Sequence, residues 1–265
     1  MKILFIGDVQ GQVNILNLQR IVPRVKSDEG IDFTIINGEN SSDYNGVTPK
    51  SANMLLNYGG ADLITTGNHC FKRKEADEIF NTHDRILRPA NYTGTPGRGF
   101  TVIDFGSHEL CVINLAGSVF MQACDNPFKV ADEILEQVNT PNIIVDFHAE
   151  ATSEKRALAE YLSGANRAKR VSAVLGTHTH VQTADEQIIG GHTAFISDAG
   201  MVGGLDSVIG AAKEIAIKSF TGYYPQKHHF AVCEERGTLV FNAVIVEIDV
   251  SSGRAVAIKR INTLI

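Results

Sequence analysis

The sequence has little cysteine, no cluster of basic residues and no long hydrophobic run, and each absence excludes something. Its four cysteines, Cys70, Cys111, Cys124 and Cys233, are scattered without C-x-x-C spacing, which excludes a disulfide scaffold and fits reduced thiols in a cytoplasmic protein. The net charge is −6. Its basic runs, 71–74 and 167–170, are short and read as solvated helix faces or ends, so duplex nucleic acid is excluded as a partner. The N-terminal apolar run ends at once in Gly7-Asp8, too short for a signal peptide or a membrane span, and the expectation is a soluble, unexported protein with no membrane partner. Repeats, low-complexity tracts and linkers are absent too, which predicts a single domain over 1–265.

What is present is an ordinary globular composition, 43% apolar and 20% charged, arranged as alternating strands and helices. Residues 3–6 form a continuous apolar run ending in glycine, the pattern of a strand buried on both faces. A helical stripe follows from Val13 through Val25, with a kink or end expected at Pro23. A second strand, 31–36, stops at Asn37-Gly38-Glu39-Asn40. A short helix is predicted over 49–58, with proline in its first turn and Gly59-Gly60 after its end. A third strand, 63–66, runs into Gly67-Asn68-His69, and 74–80 is again helical. This alternation predicts a parallel, helix-covered sheet.

The middle of the chain changes character. A Gly/Pro-rich loop covers 88–99, and a hairpin is expected over 101–105 and 110–115. A helix capped by Asn126 runs to Val138, and the strand 143–147 ends on His148. Ser153 is expected to cap the next helix. The apolar run from Val171 to Leu175 then leads into Gly176-Thr177-His178-Thr179-His180. Beyond it come a strand at 193–196, a helix at 207–217, and a closing hairpin over 238–248 and 255–261.

The strand ends carry the chemistry. Asp8, Glu39 with Asn40, Asn68 with His69, His148, and His178 with His180 each stand just after a buried strand. The carboxyl ends of parallel strands share one rim where ligands bind, so these groups converge. On an extended chain residues two apart point to the same side, so His178 and His180 are expected to face one point. Each residue alone has an ordinary structural explanation, as a cap, a turn residue or a satisfied polar group. Five loaded strand ends together do not. The donor set exceeds what one tetrahedral zinc uses, and mixed nitrogen and oxygen ligation suits iron, manganese or zinc over calcium. Two ions sharing a carboxylate are the expected solution, and such pairs hold a bridging hydroxide and clamp a phosphoryl group.

The set Gly7-Asp8, Gly38-Glu39-Asn40, Gly67-Asn68-His69, Phe147-His148 and Gly176 to His180 resembles the calcineurin-like metallophosphoesterase superfamily. More narrowly it is similar to the YmdB-type bacterial phosphodiesterase branch, as are Arg88-Pro-Ala-Asn-Tyr92, Asp146-Phe-His-Ala-Glu-Ala151, Thr177-His-Thr-His-Val-Gln-Thr-Ala-Asp185 and Ser197-Asp-Ala-Gly-Met201. The resemblance implies an α/β fold, a four-layer α-β-β-α sandwich of two mixed sheets flanked by helices, with the metal site at the C-terminal strand ends. It implies a di-metal phosphodiesterase acting on small cyclic nucleotides, 2′,3′ or 3′,5′, with two metal ions per chain, iron first and manganese or zinc as alternatives. By motif, Asp8, Glu39, Asn40 and His180 hold one ion. Glu39, Asn68, His148 and His178 hold the other, with Glu39 bridging, and His69 is the general acid. The superfamily's Asp-x-His reads Asp8-Val9-Gln10 here, so an imidazole ligand of the first ion is missing and Asn40 replaces it.

The residue types suit this chemistry without the family, since a phosphodiester needs its charge neutralised, a nucleophile at neutral pH and a proton for the leaving alkoxide. Arg88 and Arg98 are candidate phosphate contacts, with a surface role as the alternative. His228-His229 near Tyr223-Tyr224 is weighed as cleft-lining against loop packing, and Cys70 reads as a small loop hydrophobe. A phosphomonoesterase or 5′-nucleotidase on the same site and a regulatory scaffold with a structural metal site remain alternatives, and homo-oligomer formation is left open.

Overall fold

The computed structural model describes residues 1–43, 45–222 and 238–265; His228-His229, Tyr223-Tyr224 and Cys233 lie outside them. The first strand, β1 (Lys2–Ile6), is followed by the short β2 (Asp8–Val9), α1 (Gly11–Glu29), β3 (Phe33–Asn37), α2 (Pro49–Asn57), β4 (Leu63–Thr65) and α3 (Ala76–Thr82). Next come β5 (Phe100–Asp104), β6 (Glu109–Ala116), α4 (Pro127–Gln137), β7 (Ile143–His148), α5 (Thr152–Ser163) and β8 (Ala173–Thr177). The chain closes with β9 (Gln187–Ile189), β10 (Thr193–Ile196), β11 (Met201–Gly204), α6 (Lys213–Thr221), β12 (Leu239–Asp249) and β13 (Arg254–Leu264).

Two mixed sheets result. One runs β2-β11-β12-β1-β3-β4 with β13 on β12, and the other runs β5-β6-β7-β8-β10-β9. Strands β1, β3 and β4 are parallel, as are β6, β7, β8 and β10. Antiparallel pairing enters the first sheet through the closing hairpin, where β12 pairs with β1, β11 and β13, and the second sheet at its edges, where β5 pairs with β6 and β9 with β10.

Strand alternation explains the layers. In β1, Leu4 and Ile6 pack under α1 and α2, while Ile3 and Phe5 face the second sheet. In β7, Ile144 joins that inner layer, and Ile143, Val145 and Phe147 pack under α4 and α5. The result is helices, sheet, sheet, helices, the α-β-β-α sandwich that the resemblance implies. Both sheets present the carboxyl ends of their parallel strands at one edge.

Three elements differ from expectation. Helix α1 continues through Pro23; the ring lies on the exposed face, where the carbonyl it frees reaches water, while Leu18 and Val22 hold the buried face to the core. Ser153 lies inside α5, whose N-cap is Ala151. The helix expected over 207–217 begins only at Lys213, because Ile209 (φ 46°) and Gly210 (φ 95°) are left-handed and interrupt it. No helix among the described residues is long and apolar enough to cross a membrane.

Candidate metal centre

The edge shared by the two sheets gathers Asp8, Glu39, Asn40, Asn68, His69, His148, His178 and His180 into one connected cluster. Glu39, fully buried, is the hub. Its Oε2 lies 2.9 Å from His148 Nε2 and its Oε1 lies 3.0 Å from His69 Nδ1. His148 Nε2 also faces Asn68 Oδ1 at 3.1 Å and His178 Nδ1 at 3.0 Å. On the other flank His180 Nε2 is 3.2 Å from Asn40 Nδ2, 3.2 Å from Gln10 Nε2 and 4.0 Å from Asp8 Oδ1. Gly67 is essential to this packing: a β-carbon there would overlap the Glu39 carboxylate and the His148 ring.

Neighbouring groups fix which ring nitrogens face inward. His148 Nδ1 donates to Thr177 Oγ1 (2.9 Å), which donates to Asp146 Oδ1 (2.7 Å). His148 and Thr177 are register partners in β7 and β8. Asn37 Nδ2 of the first sheet bonds Asp146 Oδ2 at 2.9 Å, while its Oδ1 accepts Glu39 N–H at 3.0 Å. Glu150 Oε2 lies 3.2 Å from His178 Nε2, and the Ile209 carbonyl accepts from His180 Nδ1 at 2.8 Å. All three imidazoles are thereby held from the outer nitrogen, leaving the inner nitrogen for a ligand, the usual outer-shell arrangement of metal-binding histidines.

His178 and His180 do not converge as alternate residues of a strand. β8 ends at Thr177, and both histidines adopt positive φ, 106° and 65°, at a cost of roughly 1–3 kcal/mol each. Backbone bonds offset this strain: His178 N–H donates to Asp8 Oδ2 (3.1 Å) and Thr179 N–H to Asp198 Oδ2 (2.9 Å). The left-handed turns aim the two rings at opposite flanks, His178 toward His148 and His180 toward Asn40.

The electrostatics suit cations. Burial alone would depress the His148 pKa, but the Glu39, Asp8 and Asp146 carboxyls outweigh it and raise the value to about 9. Burial and the neighbouring His148 charge push His178 down to about 3. Burial would raise Glu39, yet His148 and His69 hold it below the ordinary carboxylate range. Burial raises Asp8 despite His148 and His180, and it raises Asp146 to about 6. His148, favoured in its charged form, thus stands with its Nε2 3.0 Å from Nδ1 of a His178 favoured in its neutral form.

The donor set fits metal ions. Asp8 Oδ1 and both Glu39 oxygens are buried and form no aligned hydrogen bond among the described residues, a costly state that a cation relieves. Glu39, His148 and His178 offer ligand atoms within 4.8 Å of one another.

The two arginines are placed elsewhere. Arg88, 8% exposed, directs its guanidinium to the carbonyls of Pro89, Ala90, Thr95, Pro96 and Gly97 at 2.8–3.4 Å, stapling the Gly/Pro-rich loop. Arg98 pairs with Asp84 at 3.0 Å on the surface. Neither joins the cluster. Cys70 is buried, and burial beside Glu39 raises its thiol well above the ordinary value, which fits a packed loop residue.

Sequence reasoning gave the supporting groups no role, although the run 146–151 that holds Asp146 and Glu150 carried part of the resemblance. Asp146 could have been found, as an acid two residues before His148 on the same strand face. Glu150, two residues past His148 in the following loop, carried a weaker signal. The Ile209 carbonyl had none, because backbone acceptors leave no trace in residue type. Gln10, read as a mere departure, lies within hydrogen-bond reach of His180.

Residues 4–261 match the family described as YmdB-like protein. The chain belongs to that family. Among curated relatives of this YmdB-like chain, a Bacillus subtilis (strain 168) protein named 2′,3′-cyclic-nucleotide 2′-phosphodiesterase is 44% identical over 264 residues, 98% of this chain and 96% of that one. A hypothetical protein of Thermus thermophilus superposes with TM-score 0.90 at 36% identity, covering 100% of this chain and 99% of the other. A crystal structure titled as a novel phosphatase from Mycoplasma pneumoniae gives TM-score 0.90 at 32% identity, covering 100% and 93%.

Proposed function

We propose that this protein is a metal-dependent phosphodiesterase that hydrolyses 2′,3′-cyclic nucleotides. The whole-length likeness to the B. subtilis enzyme of that name carries the reading, and the cluster supplies the groups such a reaction needs. Asp8, Glu39, Asn40 and His180 would hold one ion and Glu39, Asn68, His148 and His178 a second. When bound, two ions neutralise the phosphodiester oxygens and lower the pKa of the attacking water.

This chain's own residues do the rest. Water adds to phosphorus and releases one proton to solvent, the bond from phosphorus to one ribose oxygen breaks, and that oxygen takes a proton as it leaves, so diester and water become a phosphomonoester and a free ribose hydroxyl. His69 is the donor in this reading. Its Nδ1 is engaged by Glu39 Oε1 (3.0 Å) and Asn40 Oδ1 (3.2 Å), and its side chain is 21% exposed beside fully buried Glu39. The proton therefore moves from Nε2, while the Nδ1 contacts hold the ring in place. The Asp146–Thr177 relay keeps His148 oriented throughout.

A phosphomonoesterase reading has one specific support, the Mycoplasma pneumoniae structure titled as a phosphatase. The test is a rate panel on metal-loaded protein with 2′,3′-cyclic, 3′,5′-cyclic and monophosphate nucleotides, using Glu39→Ala as the blank. Preferred turnover of the 2′,3′-cyclic diesters supports the proposal. Preferred turnover of monophosphates moves it to the phosphatase, and rates at the blank level despite bound ions point to a regulatory scaffold.

A further inference from the structure

Beside the cluster a cavity of about 660 Å³ opens between the Gly67–Lys74 loop and the segments 91–95 and 122–125. It is of the size that small-molecule sites occupy. Asn68 belongs to both places: its Oδ1 lies 3.1 Å from His148 Nε2, and the residue lines the cavity. A phosphate held at the cluster would therefore extend its ester substituents into this space.

The walls suit one kind of substituent. Phe71 and Tyr92 supply two aromatic surfaces; Phe71 is braced by Phe80 with ring centroids 5.3 Å apart. Tyr92 is half-buried: its hydroxyl is turned away from solvent, so it meets the cavity through its other atoms. Gln122 uses only Nε2, on the Asn68 carbonyl at 3.1 Å, which leaves its amide oxygen for a ligand. Lys72 is exposed on the rim and forms no ion pair among the described residues.

The frame is preorganised. Asn91 bonds the Ala116 carbonyl (2.8 Å), the Ala116 N–H (2.8 Å) and the Asp125 carbonyl (3.0 Å), and Thr93 donates to the Asp125 carboxylate. Together with the Arg88 staple, these bonds set where Tyr92 stands. The segment 88–92, conspicuous in the sequence, thus builds one wall of the cavity.

We propose that this cavity is the nucleoside subsite. The base lies against Phe71 and Tyr92, the Gln122 amide oxygen accepts from its polar edge or the ribose, and Lys72 attracts the anionic ligand to the rim. The proposal rests on the cyclic-nucleotide reading above, and its test is chosen so that the two fail differently.

The experiment is calorimetric binding of adenosine 3′-monophosphate and of inorganic phosphate to metal-loaded protein. Wild type should bind the nucleotide at least tenfold more tightly than phosphate. Tyr92→Leu should weaken the nucleotide at least tenfold more than phosphate, and Gln122→Ala, at an exposed loop position, several-fold more. Equal affinity for the two ligands, or equal losses for both in the variants, overturns the subsite. Nucleotide binding that depends on Tyr92 and Gln122 in a protein that turns over no cyclic diester keeps the subsite and sinks the cyclic-nucleotide reading.

Discussion

Lys155 Nζ donates to Asp198 Oδ2 at 2.8 Å, and both residues are 1% exposed. The same carboxylate accepts the N–H groups of Thr179 (2.9 Å) and Gly200 (2.8 Å), so a helix, the histidine loop and the turn after β10 meet on one side chain. Thr179 lies between the two left-handed histidines. The pair is thus one of the devices that hold their strained backbone.

Removing one partner of such a pair leaves a buried charge uncompensated. Lys155→Ala should destabilise the protein by about 3–5 kcal/mol, read from the denaturant midpoint. Asp198→Ala orphans two backbone N–H groups as well and should cost at least as much. It should also weaken metal binding at His178 and His180, which a metal titration would reveal. Unaltered metal affinity in a folded Asp198→Ala protein would remove the loop-holding role.

Metal affinity should fall with acid. In the metal-free protein His148, raised to about 9, keeps its Nε2 proton at neutral pH, and an ion must displace it. Below about pH 9 the affinity of the second site should drop roughly tenfold per pH unit through this one competition. The raised pKa also stabilises the metal-free fold fully below imidazole's ordinary 6.5, and that contribution is lost as pH rises through 9. Thermal melts of chelated protein between pH 6.5 and 9 should show the decline.

Gln10 stands 3.2 Å from His180 Nε2 with only its amide to offer. Gln10→His should raise the affinity of the first site for iron or zinc, since imidazole suits both ions. Competitive titration with a chromophoric chelator measures it, and unchanged affinity would mean that Asn40 already completes the site.

Gly67 leaves no room for a side chain between Glu39 and His148. Gly67→Ala should displace one of the two and abolish metal binding, by metal analysis of whatever fraction folds.

The residue pattern predicted one parallel, helix-covered sheet, and the two-sheet sandwich was expected only from the family resemblance, because β1 and β7 are apolar on both faces and do not reveal which face meets a second sheet. The cluster was legible because carboxylates and imidazoles at strand ends are unusual enough to notice together. Other features were not. Pro23 on a solvent face does not end α1, because burial of Leu18 and Val22 outweighs local propensity. Ile209 breaks a helical pattern by adopting φ 46° and lending its carbonyl to His180, a tertiary demand with no local signal. Arg88 has the residue type of a phosphate contact, and only the structure shows its donors turned onto five carbonyls.

The central claim is that this cluster holds two ions and leaves His69 free to give a proton. Metal-to-protein ratio and turnover of 2′,3′-cyclic nucleotide, measured side by side for wild type, Glu39→Ala and His69→Ala, test it most directly. The account predicts two ions in wild type, loss of both with activity in Glu39→Ala, and two retained ions in His69→Ala with a roughly 10²–10⁴-fold slower rate, on the order expected for a lost general acid. A His69→Ala protein that loses an ion, or that keeps both and turns over at the wild-type rate, would contradict it.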